Sequence, residues 1–518
     1  MLHLKTLRLS LGAVVLLSTF YLLFVYSNGN AILETTAKPR TKSNATTFKQ
    51  NSSKDLYSLH ITSSEKLKNV NDMENFNIQR TEHSRDLIDR DSLLYSAKQQ
   101  SQQWIIIVTQ EIGESVSHIY KYDTASQPAK LVEKFSSRLD LELVDLSSNL
   151  RRSNAGLIRH MEYLLQEIPV EYRDLTPIVI KTNPILRDNG ESLEDCATVM
   201  ESIRDFMEQF PTFIPIKGDG ISIIDDLEKV SYKWLGLSFL QRHRAGNNII
   251  IDSTDDSISM AFPMEKDTHQ LDKRNFFNYE DLKLFRMAND KFALTQIRNL
   301  INSKLLQDAI QSNTIDATRN NSPQDLETPC LPPNAILPNN LVQLPNGKKY
   351  SINFIGSKDN NNGEDCKFLI QDLLFSSNSK PFLPQDIAQS KIIPSKLSHQ
   401  SGDIYLLSNF YKIFQPLLNF SNQPLNGFTL EDVMELTKKV CNNEFMLSHS
   451  TDIKDEFYEK LINDSNWCLD LSYHTSLLNK GYGIPLDQKL NVIDTIHDHQ
   501  IDWALGVSLP LLNPTNWI

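Results

Sequence analysis

Two pairs of neighbouring carboxylates stand in turn-like stretches of this 518-residue chain. Glu111 and Glu114 fall within WIIIVTQEIGESVSHIYKYD (104–123), and Asp255 and Asp256 within DSTDDSIS (252–259). Paired carboxyl groups can divide general-acid and general-base work, and adjacent aspartates offer the oxygen ligands that Ca²⁺ or Mg²⁺ takes. The same residues also suit solvated turns, so each pair carries a chemical and a structural reading. A hairpin tip that cradles phosphate uses small residues, hydroxyls and backbone N–H groups. Here Ile112 and Gly113 stand between two acids instead.

The elements that would position these groups are legible in outline. The run Ile105–Val108 followed by alternation through Val116, His118 and Tyr120 predicts a β-hairpin. Pro177–Ile180 and Asn248–Ile251 predict further core strands, and apolar spacing predicts helices over 154–166, 193–209 and 227–240. Residues 275–310 read as mostly helical. The stretch 311–350, with PCLPPNAILPNN, reads as loop. A second α/β segment follows over 350–490, and 501–512 closes the chain. The class is therefore α/β, and no internal repeat is visible.

Composition bounds the partners. A net charge of −12 argues against nucleic acid, which is held by a surplus of Lys and Arg. Seventeen glycines, roughly 3% against a usual ~7%, are few for a chain with several glycine-rich nucleotide loops. There is no CxxC, so zinc is disfavoured. Cys330 with Cys366 and Cys441 with Cys468 form two sequence-local sets that suit disulfides in an oxidising lumen, leaving Cys196 over.

Residues 1–8 form a short basic tail, and 9–26 are a nearly continuous apolar run without charge. That length suits a signal anchor with the tail in the cytosol and the bulk lumenal; a cleaved secretory signal is the alternative. Residues 27–100 have the composition of a disordered stem. Sequons at Asn44, Asn51, Asn320, Asn419 and Asn463 suit a lumenal location.

Several blocks then carry a resemblance. TPCLPPN (328–334), YSINFIG (350–356), GEDCKFL (363–369), CLDLSYHTSLLNKGYGIPL (468–486) and WALGVSLPLL (503–512) resemble the Golgi guanosine diphosphatase family of the apyrase superfamily. The likeness covers roughly residues 104–518. It implies a two-lobed, actin-like (ribonuclease-H-like) fold, lobe I about 101–190 plus 491–518 and lobe II about 191–490, with a nucleotide cleft between. It also implies a single-pass type II Golgi membrane protein that hydrolyses nucleoside diphosphates with Mg²⁺, Ca²⁺ or Mn²⁺. In the Golgi that reaction turns GDP into GMP, which exchanges for GDP-mannose and so supports glycosylation.

The family's motifs are poorly kept. D-x-G-S-T-G-S-R falls on Thr109–Val116, where Glu111 and Glu114 replace glycines and only Ser115 survives. K-A-T-A-G-L-R falls on Lys181–Arg187, with Asn183 for the threonine, Ile185 for the glycine, and Lys181 and Arg187 kept. In E-E-G-x-x-A-W, aligned on Trp234, the glutamate base becomes Lys229. Glu228, the substitute base, is one residue away, which on a helix is a turn of about 100°. A lysine base needs a pKa several units below its usual ~10.4, so a helix-surface lysine is the structural reading. D-L-G-G-G-S-T-Q becomes DSTDDSIS: Asp252 and Ser257 remain, Asp252 being the candidate metal ligand. F-S-Y-F-Y-D becomes LSNFYK, with Tyr411 left to stack on a base. Ser115, Asn183, Arg187, Asp252, Ser257 and Tyr411 are thus the candidate nucleotide contacts. Carboxylates at glycine positions would face a like-charged diphosphate, which costs several kcal/mol in a desolvated site. The expectation is a catalytically degraded paralogue with a regulatory or scaffold role beside an active diphosphatase or glycosylation partner, needing no cofactor. A weakly active enzyme that uses a divalent cation, or a non-hydrolysing nucleotide-binding module, is the alternative.

Overall fold

In the computed structural model the apolar run after Gln102 becomes strand β1 (Gln102–Glu111), and its side chains enter two cores. Ile105 and Ile107 face one core; Trp104, Ile106 and Val108 face the other. A strand covered on both faces needs apolar residues at every position, which is why IIIV is uninterrupted. Each fully buried isoleucine contributes about 1.5–3 kcal/mol.

The structure describes residues 101–512, except 112–113, 127–128, 139–149, 184–199, 208–213, 216–219, 243–245, 265–270, 280–281, 320–321, 359–362, 377–380, 391–392, 394–396, 398–401 and 445–465. The expected tail, anchor and stem, with Asn44 and Asn51, lie outside this set, as do Arg187, Cys196, Asn320 and Asn463. Among the described residues no helix is long and apolar enough to cross a membrane.

β1 pairs antiparallel with β2 (Glu114–Asp123), as the hairpin pattern predicts, and β2 pairs with β3 (Lys130–Arg138). On its other side β1 runs parallel to β4 (Pro177–Thr182), followed by β5 (Ile214–Pro215), while β6 (Ile221–Ile223) also pairs with β4. β5 and β6 lie beyond residue 190, where the sequence places the start of the second lobe. Helix α1 (Leu150–Glu167) lays Met161 and Leu164 under this sheet, and α2 (Asp226–Gln241) follows it.

The second sheet starts with β7 (Ile249–Ser253), β8 (Ile258–Pro263), β9 (Phe276–Tyr279) and β10 (Leu282–Asn289). The mostly helical reading of 275–310 is therefore corrected. β9 and β10 form a hairpin onto β8, and only α3 (Leu294–Gln311) is a long helix there. Phe276, Phe277, Leu284 and Phe285 satisfy cross-strand packing, and that tertiary pairing outweighs local helical spacing. The loop reading of 311–350 is corrected too. β11 (Gln324–Thr328), β12 (Ile336–Gln343) and β13 (Lys349–Gly356) form a separate sheet. Pro338 is tolerated because β12 is an edge strand with a register shift between Leu337 and Asn340.

After α4 (Asp365–Phe375), β14 (Ile404–Ser408) returns to the second sheet parallel to β7. Helix α5 (Asn409–Phe420) follows it directly, then β15 (Asn426–Thr429), α6 (Leu430–Cys441), α7 (Trp467–Ser476) and β16 (Lys489–Val492). The strand order is β15-β16-β14-β7-β8-β10-β9. In both large sheets a central strand, β1 or β7, has an antiparallel hairpin partner on one side and a parallel neighbour on the other. The fold is thus duplicated although the sequence shows no repeat. Cys330–Cys366 and Cys441–Cys468 are both bonded, as their spacing suits. Asn419 is exposed on α5.

Candidate functional site

The duplicated hairpins end at one place. The end of β1, the start of α2, the turn after β7 and the start of α5 border a cavity of about 550 Å³, completed by Trp503 of α8 (Trp503–Ser508). α8 crosses α2 at the backbone: a Cβ on Gly506 would lie 1.8 Å from the Tyr232 carbonyl oxygen, so glycine is required.

α2 is fixed at its N-terminus by a capping box in which Asp225 accepts from the Glu228 amide (2.8 Å) and Glu228 accepts from the Asp225 amide (3.2 Å). Glu228 is thereby committed to the helix start and does not line the cavity. Burial raises its pKa, with Lys181 opposing. The next residue, Lys229, does line the cavity, and one turn later so does Lys233.

Lys229 is not the surface lysine of the sequence reading. Its Nζ donates to Glu111 Oε2 at 3.0 Å, and both ends of that pair are partly buried. Asn183 Nδ2 donates to the same oxygen at 3.0 Å, and Trp503 Nε1 donates to Glu111 Oε1 at 3.1 Å. The two residues that the motif alignment sets at the base position and at a phosphate-loop glycine are thus tied to each other. Ser115 turns away: it is buried, donates to Gln110 Oε1 and does not line the cavity.

A second ion pair lies deeper. Lys233 Nζ contacts Asp252 Oδ2 at 2.5 Å and donates to Ser408 Oγ at 3.1 Å, with Lys233 and Asp252 side chains 10% and 5% exposed. Asp252 Oδ1 is buried without a hydrogen-bond partner. Ser408 bridges β14 and α5 at φ 58°, ψ −113°, a backbone region that side chains rarely adopt. Lys233 and Ser408 were missed by sequence reasoning. Their signal was a lysine at the head of the mostly apolar run KWLGLSFL and a serine between a strand and a helix. The divalent cation that the resemblance implies does not fit this donor set. An ammonium already neutralises Asp252, and among the described residues no group of three or more His, Cys, Asp or Glu side chains is placed to hold a metal ion.

The turn after β7 spends its donors on itself. Thr254 Oγ1 accepts from the Asp256 amide (3.3 Å) and the Ser257 amide (3.0 Å), and the Thr254 amide donates to the Ser257 carbonyl (2.9 Å). These are N–H groups that a phosphate loop would aim at its ligand. Asp255 and Asp256 are exposed, and Asp255 Oδ1 accepts from Asn409 Nδ2 at 3.0 Å. Ser257 and Tyr411 both line the cavity. Behind the turn, His474 Nδ1 donates to the Asp470 carbonyl (2.8 Å), so its Nε2 accepts from Ser253 Oγ (2.9 Å). Burial pushes its pKa down to about 4. The lining holds six carboxylates (Glu111, Asp226, Asp252, Asp255, Asp256, Asp494) against three lysines (229, 233, 412), six against three leaving −3. Burial raises the pKa of Asp226 and of Asp494.

Residues 95–518 match the GDA1/CD39 (nucleoside phosphatase) family. The chain is similar to the guanosine-diphosphatase of Saccharomyces cerevisiae, 28% identical over 80% of this chain and 81% of that protein. It is also similar to the guanosine-diphosphatase of Candida albicans, 24% identical over 80% and 71%. Among solved structures, a nucleoside triphosphate hydrolase from Neospora caninum shares the fold with a TM-score of 0.52, at 11% identity, over 83% of this chain and 96% of that one.

Proposed function

Since the chain belongs to the GDA1/CD39 nucleoside phosphatase family, we propose that it is a member that keeps the nucleotide-cleft fold and has lost hydrolysis. The observation that carries this is the ion pair of Lys229 with Glu111, which joins the base position to the phosphate-loop position and leaves neither for its family task. Loss of a general base alone removes roughly 10²–10⁴ in rate. Here the amides after β7 are also turned inward, and the lining is net acidic against an anionic substrate. The protein then acts as a regulator or scaffold beside an active diphosphatase or a glycosylation complex, anchored through residues 9–26 in the Golgi membrane with its bulk lumenal. A second reading, a nucleoside-diphosphate-binding module without turnover, is favoured by the place of Tyr411 in the cavity wall.

The test is phosphate release from GDP, UDP and ADP with Mg²⁺, Ca²⁺ or Mn²⁺, using the purified chain beside an active guanosine diphosphatase. Release at the blank rate is expected. A rate within tenfold of the active enzyme would overturn the proposal.

A further inference from the structure

Three N–H donors from distant parts of the chain converge on one half-exposed carboxylate: Lys229 Nζ and Asn183 Nδ2 on Glu111 Oε2, each at 3.0 Å, and Trp503 Nε1 on Oε1 at 3.1 Å. Glu111 comes from the end of a strand, the donors from a helix, a second strand end and a third element 392 residues away in sequence. The Lys229 ammonium also lies 5.7 Å from the Trp503 ring centre, so the indole supports the cation as well as donating to the anion. Such a convergence of one cation and two neutral N–H groups is the chemistry that holds an oxyanion. Its present occupant belongs to the chain and stands at the rim of the 550 Å³ cavity.

We propose that Lys229, Asn183 and Trp503 form an anion site that the chain fills with its own Glu111, and that a phosphoryl anion competes with this tethered carboxylate for it. The inference deepens the reading of the cleft as non-hydrolysing and rests on it. A tethered group competes at an effective concentration on the order of millimolar or above, so the unaltered protein holds free phosphate weakly. Removing the tethered group leaves the donors and exposes the site.

Isothermal calorimetry in EDTA tests this with two probes, inorganic phosphate and GDP, on the full chain and its Glu111→Ala variant. Glu111→Ala is expected to bind at least one probe tenfold or more tighter than the unaltered protein, and Glu111→Ala/Lys229→Met is expected to lose that gain. A gain with inorganic phosphate assigns recognition to the phosphoryl group alone; a gain with GDP only supports the site with the nucleoside seated in the adjoining cavity. Should Glu111→Ala fail to fold, Glu111→Gln keeps the side chain's shape, removes its charge, and is expected to gain at least threefold. Equal affinities in the unaltered and folded variant proteins, or a gain that survives Lys229→Met, would overturn the proposal. Turnover by the unaltered protein would instead remove the non-hydrolysing reading and leave this comparison of variants standing.

Discussion

Replacing Lys233 by methionine isolates the deepest charge in the cleft. Lys233 and Asp252 are 2.5 Å apart and 10% and 5% exposed, and the other Asp252 oxygen has no hydrogen-bond partner, so the lysine is all that compensates the carboxylate. Breaking a buried pair by removing one member costs about 3–5 kcal/mol, because the remaining charge stays desolvated. A folded body of roughly 400 residues has an unfolding entropy near 2.1 cal/mol/K per residue, so Lys233→Met should lower Tm by roughly 4–6 °C. Lys233→Met/Asp252→Leu removes both charges at similar volume and should recover most of that loss, since an apolar replacement of a buried pair is often neutral or stabilising. The assay is thermal and urea unfolding of the two single variants and the double, followed by fluorescence and circular dichroism together. The reasoning is refuted if Lys233→Met costs less than about 1 kcal/mol, or if the double variant is as unstable as the sum of the singles.

The strained serine and the buried histidine give further tests. Ser408→Ala and Ser408→Gly both lose the hydroxyl bond to Lys233, but only glycine relieves a backbone at φ 58°, ψ −113°. Ser408→Gly should therefore be more stable than Ser408→Ala by about 1–2 kcal/mol in urea unfolding, and equal stabilities would show that the turn is unstrained. His474 is held neutral with its pKa lowered from 6.5 to about 4. Between those values the unfolded chain binds the proton and the folded chain does not, so this stability is full above pH 6.5 and is lost as pH falls towards 4, up to about 3 kcal/mol. Urea midpoints measured from pH 7 to 4 should fall, and His474→Gln should flatten the slope; an unchanged slope in that variant would assign the effect elsewhere.

What could be seen in the sequence followed from how local each signal was. The apolar run of β1 declared a core strand, and the hairpin after it followed from alternation within twenty residues; that both its faces are covered came only from the structure. Cys330, Cys366, Cys441 and Cys468 paired as their neighbourhood in sequence suggests, over separations of 36 and 27 residues. β9 and β10 were hidden because Phe276, Phe277, Leu284 and Phe285 fit helical spacing as well as strand pairing, and only β8 decides between them. The duplication of the two sheets was invisible because a repeat of strand order constrains which positions are apolar, not which residues fill them. In the site, Lys229 and Asp252 were found by motif position, but their partners Glu111 and Lys233 lie 118 and 19 residues away and no local pattern links them.

That separation changes how the lost motifs are understood. Taken singly by motif alignment, glutamate at 111 reads as a phosphate loop spoiled by a side chain and lysine at 229 as a base removed. In space they are one feature, since each supplies the charge that the other lacks. A glutamate restored at 229 would place a second carboxylate beside Glu111, and two like charges in one site oppose each other's ionisation and raise the pKa of one. Glycine restored at 111 would leave Lys229 facing the acidic lining, with Asp226 already close enough to feel its charge. Neither reversal alone rebuilds a family site, and the deeper pair repeats the pattern, because Lys233 occupies the one carboxylate of the fourth motif that survived. The substitutions therefore do more than remove catalytic groups. They neutralise one another: Lys229 and Lys233 are each paired with a carboxylate of the cleft itself, the arrangement expected of a member that, on the function proposed above, does not turn over its substrate.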